Sequence, residues 1–230
     1  MADAPPNPAL LRSLGRLVRG LSALFWGLPI ALVVCFYTAR TEDLRNFNIA
    51  PAIISTGLLV FGVWQLGDFQ KQERVWRAAL DRALISSLVV FFLSPFLHWW
   101  CRYPSNTFFL AMVAALAMAG LFFIAALNIV LQRLGAMLPD EALRLETKQF
   151  TAWNVNLLMA VFFLALAHVL LGRVRTLPLW LAKIPILSDP DREWFQWFLV
   201  LLSLLPLAMT MALLWKTKEV ILDSVFGAER

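Results

Sequence analysis

Two histidines and two cysteines are the side chains of this sequence best suited to bind a metal ion or a haem iron. In the topology inferred below, Cys35, His98, Cys101 and His168 fall toward the same side of a membrane, at the ends of three apolar segments. A neutral imidazole on each of two helices can ligate a haem iron from opposite faces, so His98 and His168 are candidate haem ligands. Large aromatic residues flank His98 and would crowd a macrocycle. We therefore expect two hydrogen-bonding histidines and no bound cofactor or metal, with haem binding as the alternative.

The two cysteines allow a second kind of chemistry. Cys35 and Cys101 could form a disulfide bond between two helices if their side of the membrane is oxidising. Free cysteines are also common in apolar bundles, where they pack as small hydrophobic side chains. We expect free thiols and keep a Cys35–Cys101 disulfide as the alternative.

Catalytic motifs are absent from the sequence. There is no G-x-S-x-G, H-E-x-x-H or Cys-x-x-Cys motif and no glycine-rich phosphate loop. The apolar segments carry no Asp, Glu, Lys or Arg near their centres, which argues against a proton-coupled carrier. Their polar residues, including Asn128 and Thr210, suffice for hydrogen bonds between helices but not for a proton relay. We predict that the protein is not an enzyme.

Six apolar segments determine the class of the protein. About 20 apolar residues in a helix cross a hydrocarbon core of about 30 Å. Only 15% of the 230 residues are charged, against about 25% in soluble domains, and 60% are hydrophobic. We predict an all-α integral membrane protein with about six transmembrane helices in one bundle. The segments are Leu21–Ala39, Ile49–Leu66, Ala83–Trp100, Thr107–Leu131, Val155–Leu171 and Trp194–Trp215.

The distribution of Lys and Arg predicts the orientation of the bundle. Most of the 20 basic residues lie in the two chain ends and in the second and fourth connections. Because cytoplasmic segments retain Lys and Arg, both termini are expected in the cytoplasm. The same rule explains the net charge of +5, so we expect no nucleic-acid partner. We expect a multi-pass protein of the bacterial inner membrane.

The first 20 residues differ from the apolar segments that follow. Their proline-rich start predicts a disordered tail. Arg12, Arg16 and Arg19 then share one helical face and leucines share the other. This pattern predicts a short amphipathic helix lying on the cytoplasmic leaflet, with the three arginines among anionic lipid headgroups. Residues 21–215 are expected to form the bundle, and residues 216–230 a cytoplasmic tail.

Small residues recur in the fourth apolar segment. Ala111, Ala115 and Ala119 are spaced four residues apart. Small side chains at this spacing let two helices approach closely. We therefore expect this helix to be central in the bundle, with a homodimer seam as the alternative.

Two functional classes remain after these exclusions. We expect a non-catalytic membrane subunit, an anchor or scaffold whose partners are other membrane proteins or a second copy of the chain. The alternative is a transport component. Its support is an interfacial helix, six spans, both termini inside and an apolar exterior segment before the last span, a layout similar to that of ABC-2-type permeases in topology alone. A b-type haem electron-transfer subunit ranks below both.

Overall fold

The fold is helical throughout the part of the chain that the structure describes. The computed structural model describes residues 8–40, 47–70, 72–138, 141–173 and 193–226. At residues 8–11, 40, 143, 168–173, 193–197, 199–200 and 224–226 it describes the backbone alone. The helices in these ranges are α1 (Pro8–Arg40), α2 (Ala50–Leu66), α3 (Arg74–Leu93), α4 (Phe96–Arg102), α5 (Thr107–Met137), α6 (Glu141–Arg173) and α7 (Glu193–Phe226).

Several of these helices are long and apolar enough to cross a membrane. Within the described ranges there are four such segments, Arg12–Ala39, Arg74–Arg102, Thr107–Met137 and Arg144–Ala167. Helix α2 is apolar as well but has only 17 residues. The all-helical class predicted from the sequence is confirmed, and so is the presence of several helices suited to a membrane.

The helices are arranged as a ring with one helix outside it. Helix α1 packs against α2, α2 against α3, and α3 against α5. Helix α7 closes the ring because it contacts both α5 and α1, and the short helix α4 packs between α1 and α5. Helix α6 packs mainly against α5 and α7, so it lies on the outer side of the ring. This position leaves much of the α6 surface exposed.

Helix α1 runs without interruption from Pro8 to Arg40, so the boundary expected near residue 20 is absent. The reason is the environment of its apolar face. Leu17 and Leu21 are fully buried by protein, and a Cβ atom added to Gly20 would lie 2.8 Å from the backbone oxygen of Gly62 in α2. Because α2 covers this face, the basic turns extend the first apolar helix and do not form a separate helix.

A proline divides the membrane-length segment Arg74–Arg102 into α3 and α4. Pro95 has no N–H group, so the carbonyl of Phe91 lacks its usual helical partner. The hydroxyl of Ser94 donates to that carbonyl at 2.9 Å, and Thr56 Oγ1 of α2 lies 3.2 Å from Ser94 Oγ. The interruption is therefore stabilised by local hydroxyl groups, as expected for proline in an apolar environment.

Candidate functional site at the junction of α5, α6 and α7

Four buried polar side chains meet where α6 packs against α5 and α7. Asn128 of α5, Asn154 of α6 and Thr210 of α7 are fully buried, and Thr151 of α6 is 4% exposed. The Thr210 hydroxyl donates to the Pro206 carbonyl at 2.7 Å. It accepts hydrogen bonds from Asn128 Nδ2 at 2.8 Å and from Asn154 Nδ2 at 2.9 Å. We call these four side chains the polar centre.

The polar centre joins three helices through backbone groups as well. Thr151 donates to the backbone oxygen of Asn128 at 3.3 Å, and Asn154 Nδ2 donates to the carbonyl of Pro206 at 3.1 Å. A hydrogen bond between membrane helices contributes about 0.6–2 kcal/mol. The four groups together therefore fix α6 on α5 and α7.

The orientation of both asparagine amides follows from their backbone partners. Asn128 Nδ2 also donates to the carbonyl of Ile124 at 2.8 Å. A carbonyl only accepts, so turning either amide over would bring two acceptor oxygens together, at Ile124 for Asn128 and at Pro206 for Asn154. Each Oδ1 atom therefore points away from these partners. Within the described part of the chain, neither Asn128 Oδ1 nor Asn154 Oδ1 accepts a hydrogen bond.

Two buried acceptors without a donor define what the polar centre can do. Each Oδ1 can accept a hydrogen bond from an ordered water molecule or from an N–H or O–H group of a ligand. Hard divalent cations take about six or more oxygen ligands, which is more than these two free neutral oxygens offer. None of the four side chains carries a group that titrates near neutral pH. The chemistry available is hydrogen bonding.

The sequence predicted only part of the polar centre. The hydrogen bond between Asn128 and Thr210 is of the interhelical kind expected for these residues. Thr151 and Asn154 were missed because they precede Val155, where the fifth apolar segment was expected to begin. Helical periodicity was the available signal. The buried positions of α6 recur every three or four residues, at Thr147, Thr151, Asn154, Leu158 and Val161.

The histidine and cysteine candidates lie away from the polar centre. His98 is buried in α4 with its ring 6.4 Å from that of Trp99. Cys35 in α1 and Cys101 in α4 are half-buried free thiols in this structure. His168 belongs to the helical backbone of α6, but its side chain lies outside the described part, so the geometry of a His98–His168 pair is not defined. Among the described residues, no group of three His, Cys, Asp or Glu side chains could hold a metal ion.

The three amino-terminal arginines are exposed. Arg16 forms an ion pair with Asp68, in the connection between α2 and α3, and both side chains are partly solvent-accessible. Arg12 and Arg19 are likewise exposed, in the amino-terminal turns of α1. The arginines lie opposite the buried leucines of α1, so their side chains are accessible from outside the bundle.

The alanine series of the fourth apolar segment lies in α5, which packs against α3, α4, α6 and α7. Ala119 is buried, whereas Ala111 and Ala115 are exposed. One close approach of α5 to a neighbouring helix lies further along the chain, at Gly135. A Cβ atom added to Gly135 of α5 would lie 2.8 Å from Thr147 Oγ1 of α6.

A second group of side chains lies on the outer face of α6, where the hydropathy pattern indicates no site. Ala152, Asn156 and Ala160 are spaced four residues apart and are exposed. At about 100° per residue, Asn156 lies opposite the buried face of the helix. It makes no side-chain hydrogen bond to any described residue. We call these three residues and the neighbouring exposed Trp153 and Phe163 the outer α6 face.

No protein-family model, curated protein or solved structure matches this chain.

Proposed function

We propose that the protein is a non-catalytic subunit of a larger membrane complex, acting as an anchor or scaffold. The observation that carries this proposal is the outer α6 face, where an asparagine stands between two alanines on an otherwise apolar surface. Small residues allow close helix approach, and an amide between them can hydrogen-bond across the contact. The partner is a transmembrane helix of another subunit.

The depth of Asn156 supports a protein partner in place of lipid. The residue is eight positions beyond Lys148, which corresponds to about 12 Å along the helix. At that depth an amide facing acyl chains would lose its hydrogen bonds to water, at a cost of about 4–8 kcal/mol on a hydrocarbon scale. A partner helix with a hydroxyl, amide or free carbonyl group removes that cost.

The proposal includes six spans with both termini in the cytoplasm of a bacterial inner membrane. Helix α2 packs along α1, and α7 packs against α1, α5 and α6, which supports adding both helices to the four of full length. Exposed Arg12 and Arg19 support contact between this end of α1 and anionic headgroups.

Site-specific photo-crosslinking in the native membrane tests the proposal. A photo-reactive amino acid replaces Asn156 in one variant and Ile85, an exposed residue of α3, in the control. We expect a crosslink from position 156 to one defined membrane protein and crosslinks from position 85 to lipid only. Equal products from both positions, or lipid alone from position 156, would contradict the subunit proposal.

A substitution separates assembly from folding. Asn156→Leu should reduce recovery of the complex in mild detergent while leaving the thermal stability of the isolated chain unchanged, because Asn156 makes no hydrogen bond within the described chain. If Asn156→Leu leaves complex recovery unchanged, the outer α6 face is not the contact.

A transport component is the second candidate, and Pro206 favours it. This proline interrupts the hydrogen bonding of α7 directly beside the polar centre, where the helix could bend. Co-purification with an ATPase subunit would support an exporter, whereas assembly without an ATPase supports the scaffold.

The absorbance spectrum of the same preparation addresses the haem alternative. We expect no Soret band. A stoichiometric band that is lost in His98→Ala or His168→Ala would make the chain an electron-transfer subunit.

A further inference from the structure

A cavity of about 360 Å³ lies inside the ring of helices. Helices α1, α2, α3, α4, α5 and α7 contribute to its wall, which is almost entirely apolar. Its lining residues include Leu28, Leu32 and Cys35 of α1, Phe123 and Ile124 of α5, and Leu207 of α7. On α1 the lining extends from Leu28 to Ala39, about 17 Å along the helix axis. The cavity is therefore long and follows the helices.

The chemistry of the lining selects an apolar occupant. An apolar cavity does not hold water, and an engineered one of about 150 Å³ binds the six carbons of benzene. At the resulting value of about 25 Å³ per carbon, 360 Å³ accommodates about 14 carbon atoms. A linear chain of that size also fits the long axis of the cavity.

Access to the cavity is from the side of the bundle. Leu32 of α1 and Ala117 of α5 line the cavity and are exposed, so they mark where it reaches the surface. Both residues belong to helices of membrane-spanning length, and the medium at that depth is lipid hydrocarbon. Acyl chains are the molecules that meet this opening.

We propose that the cavity binds one acyl chain of a membrane phospholipid, inserted between α1 and α5. The site is independent of the outer α6 face and of the proposed subunit function, since α6 does not contribute to its lining. The bound chain fills the space that separates α1 from α5 and supports the ring from within.

Gly120 provides the variant that tests this site. It lines the cavity, and a Cβ atom added there would meet no atom within 4 Å. Gly120→Leu therefore places four additional carbons, about 100 Å³, in the path of the acyl chain. Gly15→Leu is the matched control, because Gly15 is also helical with open space around it and does not line the cavity.

Native mass spectrometry of the protein released from its membrane gives the readout. We expect one bound phospholipid per chain in the wild type and in Gly15→Leu, and loss of that adduct in Gly120→Leu. Equal adducts in all three proteins, or a stoichiometric apolar ligand other than phospholipid, would overturn the proposal.

A second measurement uses Cys35 and does not depend on the folding of a variant at Gly120. In a Cys101→Ser protein, Cys35 is the one remaining thiol and it lines the cavity. Adding long-chain phospholipid to delipidated protein should slow maleimide labelling of Cys35, whereas phospholipid with very short chains should not. Equal labelling rates with both lipids would refute occupation of the cavity.

Discussion

Gly20 of α1 lies close against Gly62 of α2, and replacing Gly20 tests this packing directly. In Gly20→Ala the new Cβ would lie 2.8 Å from the Gly62 carbonyl oxygen, 3.0 Å from Gln65 Cβ and in overlap with Leu66 Cδ1. The backbone oxygen cannot move without shifting α2. Leu66 is fully buried, so its side chain has little room to yield.

The magnitude follows from two opposing terms. Overpacking typically costs about 1–3 kcal/mol, and contact with an immobile backbone oxygen places this substitution in the upper part of that range, at about 2–3 kcal/mol. Replacing glycine by alanine within a helix stabilises the folded state by about 1 kcal/mol, because alanine has the higher helix propensity. The net loss is therefore about 1–2 kcal/mol, which corresponds to a fall in Tm of about 2–8 °C for a chain of this size.

Thermal unfolding in detergent can be followed with a thiol-reactive fluorophore, because Cys35 and Cys101 are free and half-buried. Gly15→Ala and Gly120→Ala are matched controls, since neither added Cβ meets an atom within 4 Å. Both controls should be as stable as the wild type or more stable. If Gly20→Ala is as stable as the two controls, α1 and α2 do not approach as closely as the structure indicates.

Three further predictions concern the polar centre, the basic end of α1 and the topology. Asn154→Leu should lower Tm more than Asn156→Leu, because only Asn154 bonds to α7; equal effects would show that the polar centre contributes nothing. A double-mutant cycle on the exposed Arg16–Asp68 ion pair should give a coupling of at most about 1 kcal/mol that falls with salt, whereas a larger, salt-independent value would imply a desolvated pair. A reporter fused after residue 147 should be cytoplasmic and one after residue 105 exterior, and the reverse readout would contradict the proposed orientation.

The sequence predicted the class of the protein because the hydropathy of a segment depends only on the residues that the segment contains. The fourth apolar segment is predicted to start at Thr107, which is where α5 begins. Hydropathy does not show which protein surface covers an apolar face, so the continuity of α1 past Gly20 was not foreseen. Nor can it distinguish Gly20, which lies against backbone, from Gly120, which faces a cavity.

The polar centre shows a related limit. The hydropathy pattern assigns Asn154 to the connection before the fifth apolar segment. It is nevertheless buried, because Thr210 and the Pro206 carbonyl supply its hydrogen-bond partners from a distant part of the chain. Pairing over such a separation is a property of the fold. A single sequence carries no signal for it beyond the helical spacing of α6.

In the proposed six-span arrangement α2 crosses the membrane, and its short length then has a consequence for the surrounding bilayer. Its 17 residues extend about 25 Å, roughly 5 Å less than the hydrocarbon thickness. Packing along α1 fixes its depth, and exposed Ile54, Phe61 and Trp64 line its outer side. Hydrophobic mismatch is then relieved by thinning of the lipid beside α2, at a fraction of a kcal/mol for each ångström. The side of the bundle formed by α2 should therefore favour lipids with shorter chains. A change in membrane thickness would alter the free energy of the protein mainly on that side.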